Sequence, residues 1–206
     1  MESEISKATL VNQALIDLGQ SPSFSIDDAT NLGGIVDTVW PGVVDETFGL
    51  HDWTFCRRTM KLNRHADQPK SGWSYAFDLP GNKVGDPLAI LIDPRRNAVL
   101  RDYYLEGNEV HCDAEEIWAR CRVAVDPRYW DPTFRAAFRK ALASELAVPL
   151  LQDIDLKIEL RREAFGTPSE GGTGGKFGRL IAQNLAASPI GAPMWQNDPL
   201  TTARWG

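Results

Sequence analysis

The chain has 206 residues, carries 22 Lys+Arg against 28 Asp+Glu, and is 43% hydrophobic and 24% charged, the balance of a globular domain long enough to bury a core. No apolar run approaches the ~18 residues that a membrane span needs. The opening Met1-Glu2-Ser3-Glu4 lacks the basic region and apolar stretch of a secretory signal. The net charge of -6 argues against a protein that grips DNA by its phosphates.

Residues 1–50 hold one base and eight acids, whereas residues 51–140 hold fifteen bases and thirteen acids. An acidic chain could still surround DNA without gripping it, because acidic walls repel the backbone. The three cysteines, Cys56, Cys112 and Cys121, are too few and too far apart for a disulfide framework and read as reduced thiols of a cytosolic product.

In chain order, Ile5, Ala8, Val11, Leu15 and Leu18 recur at helical spacing and predict a helix over 4–19 that stops at Gly19. Ser25, Asp27 and Asp28 offer cap and first-turn acids for a second helix over about 28–49. Its apolar face runs from Leu32 to Phe48, and Pro41-Gly42 predicts one bent helix rather than two.

From 53 to 127 the pattern changes to alternation. Ile117, Ala119, Cys121, Val123 and Val125 share one phase, the mark of a strand with one wet face. Gly107-Asn108 separates two short runs as a hairpin turn would. Phe55–Leu62 and Leu88–Ile92 are further strand candidates. The expectation is four to six short antiparallel strands.

Helix returns near 131, where Asp131 caps and Pro132 takes the first position. Phe134, Ala137, Phe138, Ala141, Leu142 and Leu146 form its apolar face up to Pro149. Residues 153–164 read as a more polar helix, marginal unless packed. Gly166–Lys176 reads as a flexible linker, with a short helix over 177–187 and an extended tail beyond it. The fold class expected is therefore α+β: an antiparallel helical bundle with a small inserted antiparallel β-region and an extended C-terminal tail. Residues 1–165 form one domain, and 166–206 form linker and tail.

Chemical motifs are sparse. Gly171–Lys176 fails as a phosphate loop, because Glu170 stands where the first glycine belongs and Phe177 where Ser or Thr belongs. His111, Cys112 and Cys121 lack the paired clusters of a structural zinc site. His51, His65 and His111 lie near no nucleophile elbow. Asp27-Asp28 reads as a cap and Glu115-Glu116 as a turn rather than as glycosidase acids. Arg57-Arg58, Arg95-Arg96 and Arg161-Arg162 read as solvated or ion-paired faces. Glu145 falls on an apolar stripe, which calls for an arginine partner within the chain or across a subunit interface.

Five motifs in order resemble one family. They are Val11-Asn12-Gln13-Ala14-Leu15-Ile16-Asp17-Leu18-Gly19; His51-Asp52-Trp53-Thr54-Phe55 with Arg58; Trp73-Ser74-Tyr75-Ala76-Phe77-Asp78-Leu79-Pro80; Leu105-Glu106-Gly107-Asn108; and Trp130-Asp131-Pro132-Thr133-Phe134 through Ala143–Pro149. Over residues 5 to about 165 the chain resembles the tail tubular protein A-like head-to-tail adaptors of tailed bacteriophages.

The resemblance implies a structural virion protein rather than an enzyme, made in the bacterial cytoplasm and built into the head-tail junction. It implies a ring, usually of twelve copies, between the portal and the tail or nozzle protein. DNA passes through such a channel without sequence-specific binding, and neither membrane nor cofactor is involved. Phe177, Leu180, Trp195, Arg204 and Trp205 are the expected contacts to portal or neighbouring subunit, with the β-region facing the tail or the ring exterior. The alternatives are a virion-associated polysaccharide or cell-wall hydrolase, which needs two facing carboxylates, and a nucleic-acid-binding regulator, which the acidic balance disfavours.

Overall fold

The computed structural model describes residues 5–27, 30–170 and 174–187. Two helices open the chain, α1 (Lys7–Asp17) and α2 (Asn31–Gly49). Among the described residues eight strands follow: β1 (Arg57–Lys61), β2 (Asn63–Arg64), β3 (Tyr75–Asp78), β4 (Ala89–Asp93), β5 (Ala98–Val99), β6 (Tyr104–Glu106), β7 (Glu109–Cys112) and β8 (Trp118–Arg122). Helices α3 (Pro132–Leu151), α4 (Ile154–Phe165) and α5 (Gly175–Ala187) come next.

The strands make two four-stranded sheets with orders β1-β8-β4-β5 and β2-β3-β7-β6, antiparallel throughout. Ile90, Ala119 and Cys121 of the first sheet and Phe77, Val110 and Cys112 of the second close one apolar core between them, joined by Leu62, Leu79, Ile117 and Val123. This corrects the expected helical bundle with a small inserted β-region. Among the described residues the protein is α+β with five α-helices and two four-stranded antiparallel sheets, and the β-portion owns a core instead of borrowing one from the helices. The undercount has a physical cause: β2 and β5 hold two residues each, too few to show a period.

The alternation over Ile117–Val123 is real. Ile117, Ala119, Cys121 and Val123 are buried, while Trp118, Arg120 and Arg122 are half-exposed. At the β6–β7 turn, Gly107 has φ +59°, which suits the first loop residue of a primed hairpin turn.

Helix α3 is the hub of the helical layer and touches α1, α2, α4 and α5. Its start follows the sequence. Asp131 Oδ1 accepts from the backbone N–H of Thr133 at 2.8 Å and of Phe134 at 3.3 Å, and Pro132 is the first helical residue. Burial opposes ionisation of Asp131, but these bonds and that from the Thr133 hydroxyl win and hold its carboxyl below the usual range. Pro149 does not end α3, which continues to Leu151 before Gln152 turns left-handed at φ +57°.

Helix α2 likewise runs unbroken through Pro41. Its N-cap is Thr30 rather than Ser25 or Asp27, because Asp27 lies in a turn with φ +65°; Asp28 falls outside the described residues. Asn12 ties the preceding loop to α1. Its amide donates to the Phe24 carbonyl and accepts from the Phe24 N–H, both at 2.9 Å.

The short helix expected over 177–187 is present as α5, and in the stretch read as linker Pro168–Glu170 form a 3-10 turn. The N–H of Gly174 donates to the Phe165 carbonyl at 3.1 Å, and α5 packs on α3 and α4. Phe177, 0% exposed, stacks on Phe165 at 5.1 Å and meets Phe134 edge-on at 5.6 Å. The expected extended tail from 188 onward lies outside the described residues.

A chain of ion pairs stitches the same helices. Asp17 meets Arg139 at 2.7 Å and Lys140 at 3.5 Å, and Glu163 meets Lys140 at 3.2 Å and Lys176 at 3.1 Å. Burial raises the Glu163 pKa, but Lys176 and Lys140 outweigh it, so the carboxyl titrates below its ordinary value.

Two outcomes are expected. Phe177→Ala should cost about 3–5 kcal/mol of stability, read by chemical denaturation, because it empties a fully buried aromatic site. Glu163 is depressed in the folded chain, so its contribution is present above the unfolded carboxylate pKa and lost as pH falls through the folded value. The difference in Tm between wild type and Glu163→Gln should therefore be present near neutrality and vanish in acid.

Candidate functional site

Binding surfaces on this chain are found by asking which apolar groups the fold leaves uncovered. On α4 the apolar residues Ile154 and Ile158, one helical turn apart, are 63% and 54% exposed. Beside them lies a cleft of about 560 Å³ lined by Leu50, Ile158, Arg161, Arg162, Phe165 and Pro168, with Glu46 at its edge.

A second cleft of about 400 Å³, lined by Val39, Gly42, Val43, Glu46, Glu145, Lys157 and Arg161, adjoins it through Glu46 and Arg161. Arg161 is the shared wall. Its guanidinium bonds Glu46 and reaches Glu145 at 3.0 Å, while Lys157 holds Glu145 at 2.7 Å. The hydrogen bond to Glu46 leads in raising the Arg161 pKa against the opposing effect of burial. Glu145 thus finds its arginine within the chain.

The expected contact residues divide. Phe177 is enclosed in the core, and Leu180, 9% exposed, borders a small cleft of about 190 Å³ with Trp53, Phe55, Phe134 and Asn184. Both side chains therefore serve this chain's own packing. Trp195, Arg204 and Trp205 lie outside the described residues. The basic pairs are partly spoken for: Arg57 holds Asp52 at 2.6 Å, and Arg96 lies 3.8 Å from Asp93.

The outer face of the second sheet gathers groups that the sequence scatters. His65 Nε2 lies 2.9 Å from Asp78 Oδ1, and His111 Nε2 lies 3.0 Å from Glu109 Oε2. His111 Nδ1 meets the Ser71 hydroxyl at 2.8 Å. His111 is 4% exposed, so its ring is held from both sides. The hydrogen bond that His65 donates to Asp78 raises the His65 pKa above the ordinary imidazole value, against a smaller effect of desolvation.

The sequence sets His111 beside Cys112 and Cys121, which make no zinc cluster, and gives no sign of this group. Adjacent strand residues point to opposite faces, so Cys112 enters the inter-sheet core while His111 stays outside it. His65, Asp78 and Glu109 come from three chain segments with no motif spacing, and only the pairing Asp78↔Glu109 brings the acids together.

All three thiols are buried and unpaired. Burial, followed by the charge of Asp52, pushes Cys56 up to about 11, and burial likewise raises Cys112 and Cys121. A buried thiol with a raised pKa offers little thiolate for attack.

Comparison of the chain with protein-family models finds no match, and comparison with curated proteins finds none. One expectation follows from the thiols. A disulfide reagent such as dithionitrobenzoate should titrate essentially none of them in the native protein at neutral pH and all of them in guanidinium.

Proposed function

We propose that the chain is a structural adaptor of the head-to-tail junction of a tailed phage, a ring subunit between portal and tail that extends the DNA channel. The observation that carries this reading is the ordered series of five motifs between Val11 and Pro149. Their roles in the fold are consistent with one another. Asn12 fastens the loop before α2, Trp53 and Trp130 belong to the aromatic cluster around Phe134, and Gly107 turns the β6–β7 hairpin.

The helical face supports it further. A closed ring needs a heterologous interface, two different patches that meet from subunit to subunit. The exposed Ile154 and Ile158 with the neighbouring cleft supply an apolar patch of the right kind, bordered by the Glu46–Arg161–Glu145 ion pairs. The acidic first fifty residues suit a channel that lets DNA slide.

The hydrolase alternative asks for two carboxylates facing across a concavity. Glu46 and Glu145 do line one cleft, but each is engaged by Arg161, which favours the structural reading.

Light scattering on the purified chain, alone and mixed with its cognate portal protein, tests this. A ring-sized mass in either sample is expected, and a monomer in both counts against the adaptor. Ile158→Glu should reduce the ring fraction while changing stability by no more than about 0.5 kcal/mol, as for an exposed substitution. Deletion of residues 188–206 should abolish portal binding and leave the fold intact; unchanged binding would remove the tail from the interface.

A further inference from the structure

The outer face of the β2-β3-β7-β6 sheet concentrates negative charge in one row. Asp78, Glu109 and Glu106 sit directly across from one another on neighbouring strands. Like charges placed opposite each other destabilise a sheet. Among the described residues, the ion pairs these three carboxylates make are with imidazoles: His65 to Asp78 at 2.9 Å, and His111 to Glu109 at 3.0 Å and to Glu106 at 3.9 Å. An imidazole is a conditional counter-charge, present only while protonated.

The next row of the same face explains why the groups converge. The N–H of His65 donates to the Ala76 carbonyl at 2.8 Å, and Ala76 is paired with His111. The small Ala76 thus lies between the two imidazoles, and the His65 ring reaches Asp78 in the acidic row. As a result His65, Asp78 and Glu109 each bring one ligand atom within 4.8 Å of the other two.

We propose that His65, Asp78 and Glu109 bind a divalent cation of the zinc type. One imidazole nitrogen and two carboxylate oxygens form a mixed donor set that suits zinc better than magnesium or calcium, which prefer oxygen alone. Tetrahedral zinc brings its ligand atoms to about 3.3 Å from one another. The side chains of His65, Asp78 and Glu109 are partly exposed, at 32%, 59% and 39%; the ion would displace to solvent the proton that His65 Nε2 shares with Asp78 Oδ1 and draw the three ligand atoms to that spacing. The solvent side is left for a water ligand, as in three-residue zinc sites.

A second layer is already built. The buried His111 ring, with Ser71 Oγ at its Nδ1, turns its Nε2–H to Glu109. This orients the carboxylate in the way that outer-shell partners orient metal ligands. The ion would neutralise part of the acidic row. It would also tie β2, a two-residue edge strand, to the middle of its sheet. This inference does not depend on the adaptor reading.

The test is calorimetric titration of the EDTA-stripped full-length chain with zinc chloride in a non-chelating buffer. One saturable equivalent is expected, accompanied by a rise in Tm that EDTA reverses. A large excess of magnesium chloride should not displace it. His65→Gln and Asp78→Asn should each weaken binding about tenfold or more, while Glu159→Gln, on the exposed face of α4, leaves it unchanged. Circular dichroism reports whether each variant is folded, and the near-isosteric Asp78→Asn carries the test if His65→Gln is not. Absence of saturable binding, or binding equal to wild type in a folded Asp78→Asn variant, overturns the proposal.

Discussion

Phe134 must be buried, and no single helix can bury it. Its ring meets Phe55 at 4.8 Å, Trp53 at 5.1 Å, Trp130 at 5.4 Å, Phe48 at 5.5 Å and Phe177 at 5.6 Å. Those partners come from the end of α2, the junction that leads into the first sheet, the approach to α3, and α5. Aromatic pairs at such edge-to-face separations add to the energy of area burial, so one site on α3 recruits most of the chain. The two indoles are also satisfied as donors: Trp53 Nε1 bonds the Thr47 carbonyl at 2.9 Å and Trp130 Nε1 the Val125 carbonyl at 2.7 Å. These bonds fix the chain's direction as it enters and leaves the sheets.

The helices were legible because each carries its own signals. Asp131-Pro132 announces α3, Gly19 follows α1 with φ +71°, and the apolar spacing from Leu32 to Phe48 survives Pro41 in one unbroken α2. In the second sheet only the β6–β7 hairpin announced itself, through Gly107-Asn108; the β2 and β3 half was illegible for the opposite reason. Strands of two to four residues such as β2 and β3 are defined by their partners, and partnership between residues 63 and 78 or 78 and 109 leaves no local trace. The same holds for the surface group on that sheet. His65 and His111 look unremarkable in sequence, and only the shared face makes them neighbours. Phe177 shows a further limit: an aromatic residue next to a glycine-rich stretch reads equally well as an external anchor or as core, and packing against Phe134 and Phe165 decides it.

Two kinds of surface result, one on each half of the molecule. The helical half offers apolar residues framed by ion pairs, a combination suited to contact between protein subunits, where the charges select register and the isoleucines supply area. The sheet half offers an acidic row with imidazoles beside it, suited to small cations. The halves are joined where Val125 touches both cores and where the Val123 N–H bonds the Cys56 carbonyl at 3.0 Å.

The return from α4 to α5 carries one more consequence. Gly166 and Gly174 approach backbone to backbone: a Cβ on Gly166 would lie 2.6 Å from the Gly174 Cα, and one on Gly175 2.7 Å from the Ala164 carbonyl oxygen. Gly166 and Gly175 also hold φ of +83° and +58°. The backbones are thus pinched together at Gly166 and Gly174–Gly175, and the Glu170 carboxylate accepts from Thr167 beside them. Because these backbones already touch, a side chain at Gly166 or Gly175 would push the start of α5 away from the end of α4. The docking of α5 therefore depends on the absence of side chains at the neck as much as on the apolar contacts of Phe177.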